Sequence, residues 1–399
     1  MVYTVFRVPI RQIGIAQNGI ALITVLLILV FLSVFAIAQA EKQNISILKV
    51  SNLVESEQAF QIAIGGEQWA IKMLEQDIKT DSETGEGAPV DHSEEAWANL
   101  GPGVKVEGTE SFMRVSIQDM HGLFNVNNLV QGKKVTEGDQ NDSEEDVRED
   151  IDSDSDSGEP ESAEDQNNGI DEGAQQKAPK QPSWYSVFQS LLANLGLEPE
   201  LADTLMDWVD ADDEVSNAEG AEDPYYLSLN PPYLPANQPL VSIGELSSIK
   251  GFTPEVLRVL GPFITALPVA GIDKLTKINI NTASSVVLSA LVSQPGVPAD
   301  AFVPLIEMRE AEAFESIGDF SSAFTSLSSL ELKAGSQALL DVKGEYFLGH
   351  SCALTGKVEL SQLSLLHKDF AEKHVSVVYR LRMPDCPELV AASNPEPSS

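Results

Sequence analysis

Ile20 to Ala38 reads IALITVLLILVFLSVFAIA, nineteen residues without a charge, interrupted only by Thr24 and Ser33. At 1.5 Å per residue such a helix spans about 28 Å, enough to cross the hydrocarbon core of a bilayer. Arg7 and Arg11 precede it, and no acidic residue does. Positive charge on that side holds the short end in the cytoplasm and sends the rest outward. Downstream, Gln39 to about Lys79 contains no Pro. Val50, Leu53 and Val54, then Phe60, Ala63 and Ile64, then Ala70, Met73 and Leu74 recur at helical spacing, which predicts an amphipathic continuation of the same helix. Gly65–Gly66 marks the expected bend. One long helix, half in a membrane and half packed on a head domain, is the architecture this stretch requires.

Working outward, Val104 to Gln118 alternates, with Gly108 as a turn, and predicts a β-hairpin. Asp119 to Leu129 follows, with Gly122 as a turn and Asn residues at strand or cap positions. Residues 182–338 read as a helical block. Its expected helices are Trp184 to Leu195, Glu198 to Val209, Gly244 to Ile249, Pro254 to Leu260, Thr282 to Val292, Pro304 to Ala313 and Ser321 to Leu330. Asn281 or Thr282 is the expected N-cap of the fifth. Strand character returns at Tyr346–Leu348, Ala353–Thr355, Val358–Leu366 and Val375–Arg382. Helices set between strands predict an insertion into one α+β domain rather than two domains in tandem.

The 399 residues carry 61 Asp+Glu against 25 Lys+Arg, a formal charge of −36. That repels phosphate backbones and argues against a nucleic-acid-coating role. The 43% apolar content excludes a wholly disordered chain. The charge is uneven. Glu137 to Glu172 holds 17 acidic residues and one Arg, so residues 132–181 read as a disordered, solvated insert.

Three readings compete for the N-terminus. A cleaved signal peptide uses a small-x-small site, which Ala36, Ala38 and Ala40 imitate. A plain signal anchor is the second. The third starts from Gly19, immediately before the apolar run. A basic leader, a Gly and an uninterrupted apolar helix resemble the class III signal of type IV pilins and pseudopilins. That resemblance implies cleavage by a prepilin peptidase between Gly19 and Ile20, a mature chain of 380 residues, and a methyl on the new amino group of Ile20. Gln17 and Asn18 stand where the family usually has Lys or Arg. Thr24 stands at the fifth mature position, where most pilins carry Glu. Either Thr24 is a tolerated helix residue, or its lack of a carboxylate suits a subunit with no subunit ahead of it.

Among the groups that carry chemistry, the densest string is Asp207-Trp-Val-Asp210-Ala-Asp212-Asp-Glu214, continuing through Glu222 and Asp223 to Tyr225-Tyr226. Carboxylates at alternate positions suit Ca²⁺, which takes six to eight oxygens from a flexible loop. Val215 stands where an EF-hand needs Gly, so that motif is not matched. A solvated acidic loop is the alternative, but Trp208, Tyr225, Tyr226 and Tyr233 imply ordered surroundings that need a counter-ion. Ser242 to Leu260, followed by Lys277-Ile-Asn-Ile-Asn-Thr-Ala283, resembles helix-hairpin-helix modules, which bind phosphates at helix N-termini. With only Lys250, Arg258, Lys274 and Lys277 nearby, a packing role is favoured over DNA binding. Cys352 and Cys386 leave two readings open, a disulfide in an oxidising compartment or two reduced, buried thiols. His92, His121, His350, His367 and His374 are scattered and expected to be structural or at the surface. No G-x-S-x-G, H-E-x-x-H or P-loop occurs, so no enzyme activity is expected.

Taken together, Gly19-Ile-Ala-Leu-Ile, Asp119 to Leu129, Asp207-Trp-Val-Asp-Ala-Asp, Gly220-Ala-Glu-Asp-Pro-Tyr-Tyr-Leu-Ser-Leu, Pro231-Pro-Tyr, Ala236-Asn-Gln-Pro-Leu, Lys250-Gly-Phe-Thr-Pro-Glu-Val and Asn279-Ile-Asn-Thr-Ala resemble the K-class minor pseudopilins of type II secretion systems. The acidic insert lies outside the resemblance. It implies a pilin-like α+β fold, with a long transmembrane helix on an antiparallel sheet and a large inserted α-helical domain. The expected division is a leader at 1–19, a span at 20–38, helix continuation and first strands at 39–131, the insert at 132–181, the helical domain at 182–338 and closing strands at 339–399. It further implies an inner-membrane, single-pass protein with its bulk in the periplasm. Expected partners are the I- and J-class minor pseudopilins, the major pseudopilin, the prepilin peptidase and secreted substrates, with no nucleic acid. The resemblance also implies calcium in the helical domain, with ligands among Asp207, Asp210, Asp212, Glu214, Glu222 and Asp223, and it favours the tip-subunit reading of Thr24. The competing functions are a membrane-anchored periplasmic adaptor and a DNA-binding competence protein.

Overall fold

The computed structural model describes residues 18–84, 89–131, 183–269, 274–292, 297, 299–328, 332–333, 335–383 and 386. The leader through residue 17 and the acidic insert lie outside the described residues. Helix α1, Asn18–Thr84, is a single 67-residue element. Its first part is long and apolar enough to cross a membrane, and Leu22 to Ile37 present their apolar side chains outward. From Ala59 onward one face is buried, through Ala59, Ala63, Ala70, Leu74 and Ile78. The helix runs through Gly65–Gly66 without interruption. A Cβ on Gly66 would collide with the Ser351 side chain and come within 2.9 Å of Val115. The glycine is there for close approach of helix to sheet.

Strand β1, Val104–Lys105, and β2, Phe112–Asp119, form the expected hairpin. The chain then leaves the sheet. It makes β3 (Phe124–Asn125), α2 (Trp184–Asn194), α3 (Leu201–Val209), α4 (Asp223–Leu227), α5 (Pro254–Leu260), β4 (Ile264–Thr265), β5 (Ile278–Asn279), α6 (Ser285–Ser289), α7 (Val303–Ala311), α8 (Ile317–Ser328) and β6 (Leu340–Asp341). It re-enters as β7 (Tyr346–Thr355), β8 (Val358–Asp369) and β9 (His374–Met383). The main sheet has the order β1-β2-β7-β8-β9, antiparallel throughout. The helical block is thus an insertion between two neighbouring strands.

Three sequence expectations need correction. Tyr346–Leu348 and Ala353–Thr355 belong to one strand, because Gly349 to Cys352 pair with both β2 and β8 despite lacking an alternating pattern. The segment Gly244 to Ile249 is a 3-10 turn at Ile243–Ser248, opened by a Ser242–Glu245 capping box. Helix α6 is capped by Ser284, whose side chain accepts from the Val287 amide. Asn281 is instead occupied with Phe314, donating to its carbonyl and accepting from its amide, both at 3.0 Å.

Two cores result. Leu74, Ile78, Val115, Ile117, Phe347 and Leu366 lie between α1 and the sheet with Trp97, whose ring meets Phe347 edge-on at 5.1 Å. Phe124, Trp184, Phe188, Leu205, Trp208 and Tyr226 belong to the larger core of the inserted domain. Cys352 and Cys386 form a disulfide, their Cα atoms 5.7 Å apart, which ties the segment after β9 back to β7.

Beside the first core, Lys368 is completely buried, with its ammonium 2.5 Å from both Asp77 and Asp91. Glu95 belongs to the same acidic group. Its carboxylate accepts from the His92 amide and the Trp97 indole. Burial, then the charges of Asp77 and Asp91, push its pKa up to about 8. A raised carboxyl pKa gives stability that is fully present below the unfolded value of about 4.3 and is lost as pH rises through the folded value. Glu95→Gln keeps both acceptor contacts and removes the proton linkage. Its melting midpoint relative to the parent should therefore rise from about pH 4.3 and level off above about pH 8. A pH-independent difference between the two proteins would contradict this.

Candidate metal centre and its surroundings

Helix α3 ends at Val209, and the loop after it turns back through Gly220 into α4. Asp207, on the last turn of α3, is fully buried. Its Oδ1 accepts from the Ser216 amide at 3.0 Å and its Oδ2 from the Ala221 amide at 2.8 Å. A Cβ at Gly220 would collide with that carboxylate, so Asp207 shapes the loop and Gly220 makes room for it. The loop brings Asp210, Asp212 and Glu222 together, with one carboxylate oxygen of each within 4.8 Å of the others. Asp210 is 9% exposed and Glu222 1%. Among the described residues, neither oxygen of Glu222 has a hydrogen-bond partner, nor does Oδ1 of Asp210.

Buried carboxylates without donors are costly in the ionised form. Burial, then the charges of Asp212 and Asp207, push the Asp210 carboxyl up to about 7. Burial, then Asp207, Asp210, Asp212 and Asp213, push Glu222 up to about 8. Asp207 is also raised, chiefly by burial. Three convergent oxygen donors, two of them buried and orphaned, fit a hard divalent cation. Of the other expected ligands, Asp223 opens α4 outside this group. Glu214 is exposed, its amide donating to the Asp212 side chain at 2.9 Å.

The wall behind the loop is aromatic. The Trp208 ring meets Tyr226 edge-on at 5.2 Å, and Tyr226 lies 5.4 Å from Tyr233. Lys250, in the hairpin-like stretch considered for phosphate binding, turns its ammonium inward. It donates to the Glu219 carbonyl at 3.0 Å and sits over the Tyr225 ring at 5.3 Å. Asn127 similarly joins segments, accepting from the Leu240 amide at 2.7 Å and donating to the Leu267 carbonyl at 3.0 Å. Sequence reasoning placed Asn127 at a strand or cap. The unusual run of polar residues inside an otherwise apolar stretch was the available signal.

A helix long and apolar enough to cross a membrane, continuing into a sheet-backed head with a helical block inserted between adjacent strands, defines a pilin-like subunit. Two family models described as "Type II secretion system (T2SS), protein K" match residues 122–269 and 278–343. The type II secretion system protein K of Pseudomonas aeruginosa is 32% identical over 319 residues, covering 78% of each chain. That of Klebsiella pneumoniae is 29% identical over 364 residues, 88% of this chain and 93% of the relative. The fold also matches a chain of the GspK-GspI-GspJ complex from enterotoxigenic Escherichia coli, with TM-score 0.60 and 22% identity over 84% of this chain and 99% of that one. The chain therefore belongs to the type II secretion system protein K family, the minor pseudopilins of that system.

Proposed function

We propose that the protein caps the pseudopilus tip, where it helps start assembly and regulates growth for export of folded proteins across the outer membrane. It works by assembly rather than catalysis. Its partners are the I- and J-class minor pseudopilins, which fits the likeness to a chain from a GspK-GspI-GspJ complex, together with the major pseudopilin and the secreted substrates. The prepilin peptidase removes residues 1–19, and Ile20 receives a methyl. The chain is held in the inner membrane by α1 with its head in the periplasm. Calcium sits between Asp210, Asp212 and Glu222, which supply oxygen ligands, while Asp207 holds the loop in shape.

The observation that carries this reading is Thr24. Its hydroxyl is turned back onto its own helix, donating to the Ala21 carbonyl at 2.9 Å. It offers no carboxylate for the terminal amine of a neighbouring subunit, so the chain has no partner to follow in a filament. An unpaired carboxylate at that depth would be costly, so its replacement by a self-satisfied hydroxyl is consistent with a terminal position. Mass spectrometry of the mature N-terminus should find methylated Ile20, and immunogold labelling should find the protein at filament ends. A chain starting near Glu41, or label spread along the filaments, would refute the proposal.

A further inference from the structure

Where the inserted domain meets the sheet there is a cleft of about 530 Å³, within the range of small-molecule sites. It lies away from the carboxylate cluster and is used by nothing described above. At its inner end is His121, only 5% exposed. Its Nδ1 lies 2.9 Å from the Lys277 carbonyl. A carbonyl only accepts, so Nδ1 carries the proton and, in the neutral ring, Nε2 carries the lone pair. That Nε2 is buried and has no hydrogen-bond partner among the described residues. The Tyr346 ring lies parallel to it at 6.0 Å, and the His367 ring, which also lines the cleft, packs on Tyr346 at 4.9 Å, so the inner wall is aromatic.

The rim is cationic in a chain of charge −36. Lys274, Lys277 and Lys343 all line the cleft. Lys277 lies 3.5 Å from Asp341, whose other oxygen is taken by the Val342 amide at 2.9 Å. Lys343 sits over the Phe370 ring at 4.7 Å. Glu345 is the second carboxylate at the rim, and it is exposed. The arrangement offers a buried acceptor, an aromatic wall and lysines at the mouth. A ligand matching all three has a carboxylate for the lysines, an N–H or O–H beside it for Nε2, and a flat or apolar body for Tyr346.

We propose that this cleft, built from His121, Tyr346 and the three rim lysines, binds an organic carboxylate with a hydrogen-bond donor adjacent to the carboxylate. A free peptide C-terminus and a small N-acyl amino acid share that chemistry.

The test uses the full chain in detergent micelles and isothermal titration calorimetry. The probes are hippurate, its methyl ester, the tripeptide Gly-Gly-Phe and its C-terminal amide. Hippurate should bind at one site per chain, and the ester should bind at least about tenfold more weakly. The double variant Lys277→Ala/Lys343→Ala should also lose about tenfold. His121→Asn keeps a donor for the Lys277 carbonyl but has no acceptor where Nε2 was. It should weaken hippurate binding while leaving the melting midpoint near that of the parent. If the free-acid tripeptide binds and its amide does not, the source is a chain terminus. If hippurate alone binds, the source is a small metabolite. Absence of saturable binding by both free acids, equal binding of acid and ester, or parental affinity in the lysine double variant would overturn the proposal.

Discussion

Calcium added to the full chain in detergent, after removal of divalent cations, is expected to raise the melting midpoint of the inserted domain by about 5–10 °C. The figure follows from simple linkage. A ligand at about a hundredfold its dissociation constant stabilises by about 2.7 kcal/mol, and a domain of this size shifts by about 2–4 °C per kcal/mol. The effect is large because the cation replaces an unfavourable state. Asp210 and Glu222 are buried with orphaned oxygens, and their carboxyls are pushed up to about 7 and about 8. Without a cation they meet the charge of Asp212 and of each other. Asp210→Asn and Glu222→Gln should abolish the calcium response, while raising the midpoint of the metal-free protein by relieving that repulsion. Glu214→Gln, at an exposed carboxylate outside the cluster, should keep the response. An unchanged midpoint with calcium, or a full response in Glu222→Gln, would show that the loop holds no such ion.

The second large effect concerns the other buried charge. Lys368→Met should cost about 3–5 kcal/mol in denaturant unfolding, the usual penalty for removing one partner of a buried ion pair. Burial alone would lower the Lys368 pKa, but the Asp91 and Asp77 carboxylates outweigh it and raise it, so the ammonium stays charged. Asp91 is fully buried, and its second oxygen accepts from the Gly344 amide at 2.8 Å. Losing Lys368 leaves that carboxylate without its counter-charge. Adding Asp91→Asn to Lys368→Met should recover part of the loss, because the amide still accepts from Gly344 and needs no cation. A double variant as unstable as the single one would locate the damage in packing against Phe347 and Phe370, which lie 5.4 and 4.7 Å from the ammonium.

The long helix, the hairpin and the position of the helical block were legible because each depends on local spacing. Val50 to Leu74 repeats at helical intervals, and Phe112 to Ile117 alternates. The carboxylate loop was legible as a set, since eight acidic residues crowd the short aromatic-rich stretch from Asp207 to Asp223, but its membership was not. Spacing along the chain does not tell that the backbone amides of Ser216 and Ala221 occupy Asp207, or that Glu222 folds back toward Asp210. The centre of β7 was hidden for a related reason. Gly349 to Cys352 is buried on most sides, which erases the in-out alternation that marks a half-exposed strand. Least legible were the side-chain amides. Asn125 accepts from Leu267 at 3.0 Å, and Asn128 accepts from Thr276 at 3.1 Å. These bonds span more than 140 residues, and an Asn that imitates a peptide group for a distant segment carries no local signature. His121 was grouped with four scattered histidines for the same reason. Its partner carbonyl is 156 residues away.

The register of β2 against β7 has a further consequence. Asp119 pairs with Phe347, so the points where the inserted block leaves and rejoins the sheet are neighbouring Cα positions, about 5 Å apart in an antiparallel ladder. The rest of the head sees the block as it would see a short hairpin turn. Such a block can be acquired, enlarged or lost in evolution without re-threading the sheet. An ordinary filament subunit and this bulky one can therefore share one framework and one helix, differing mainly in what is looped out between two adjacent strands.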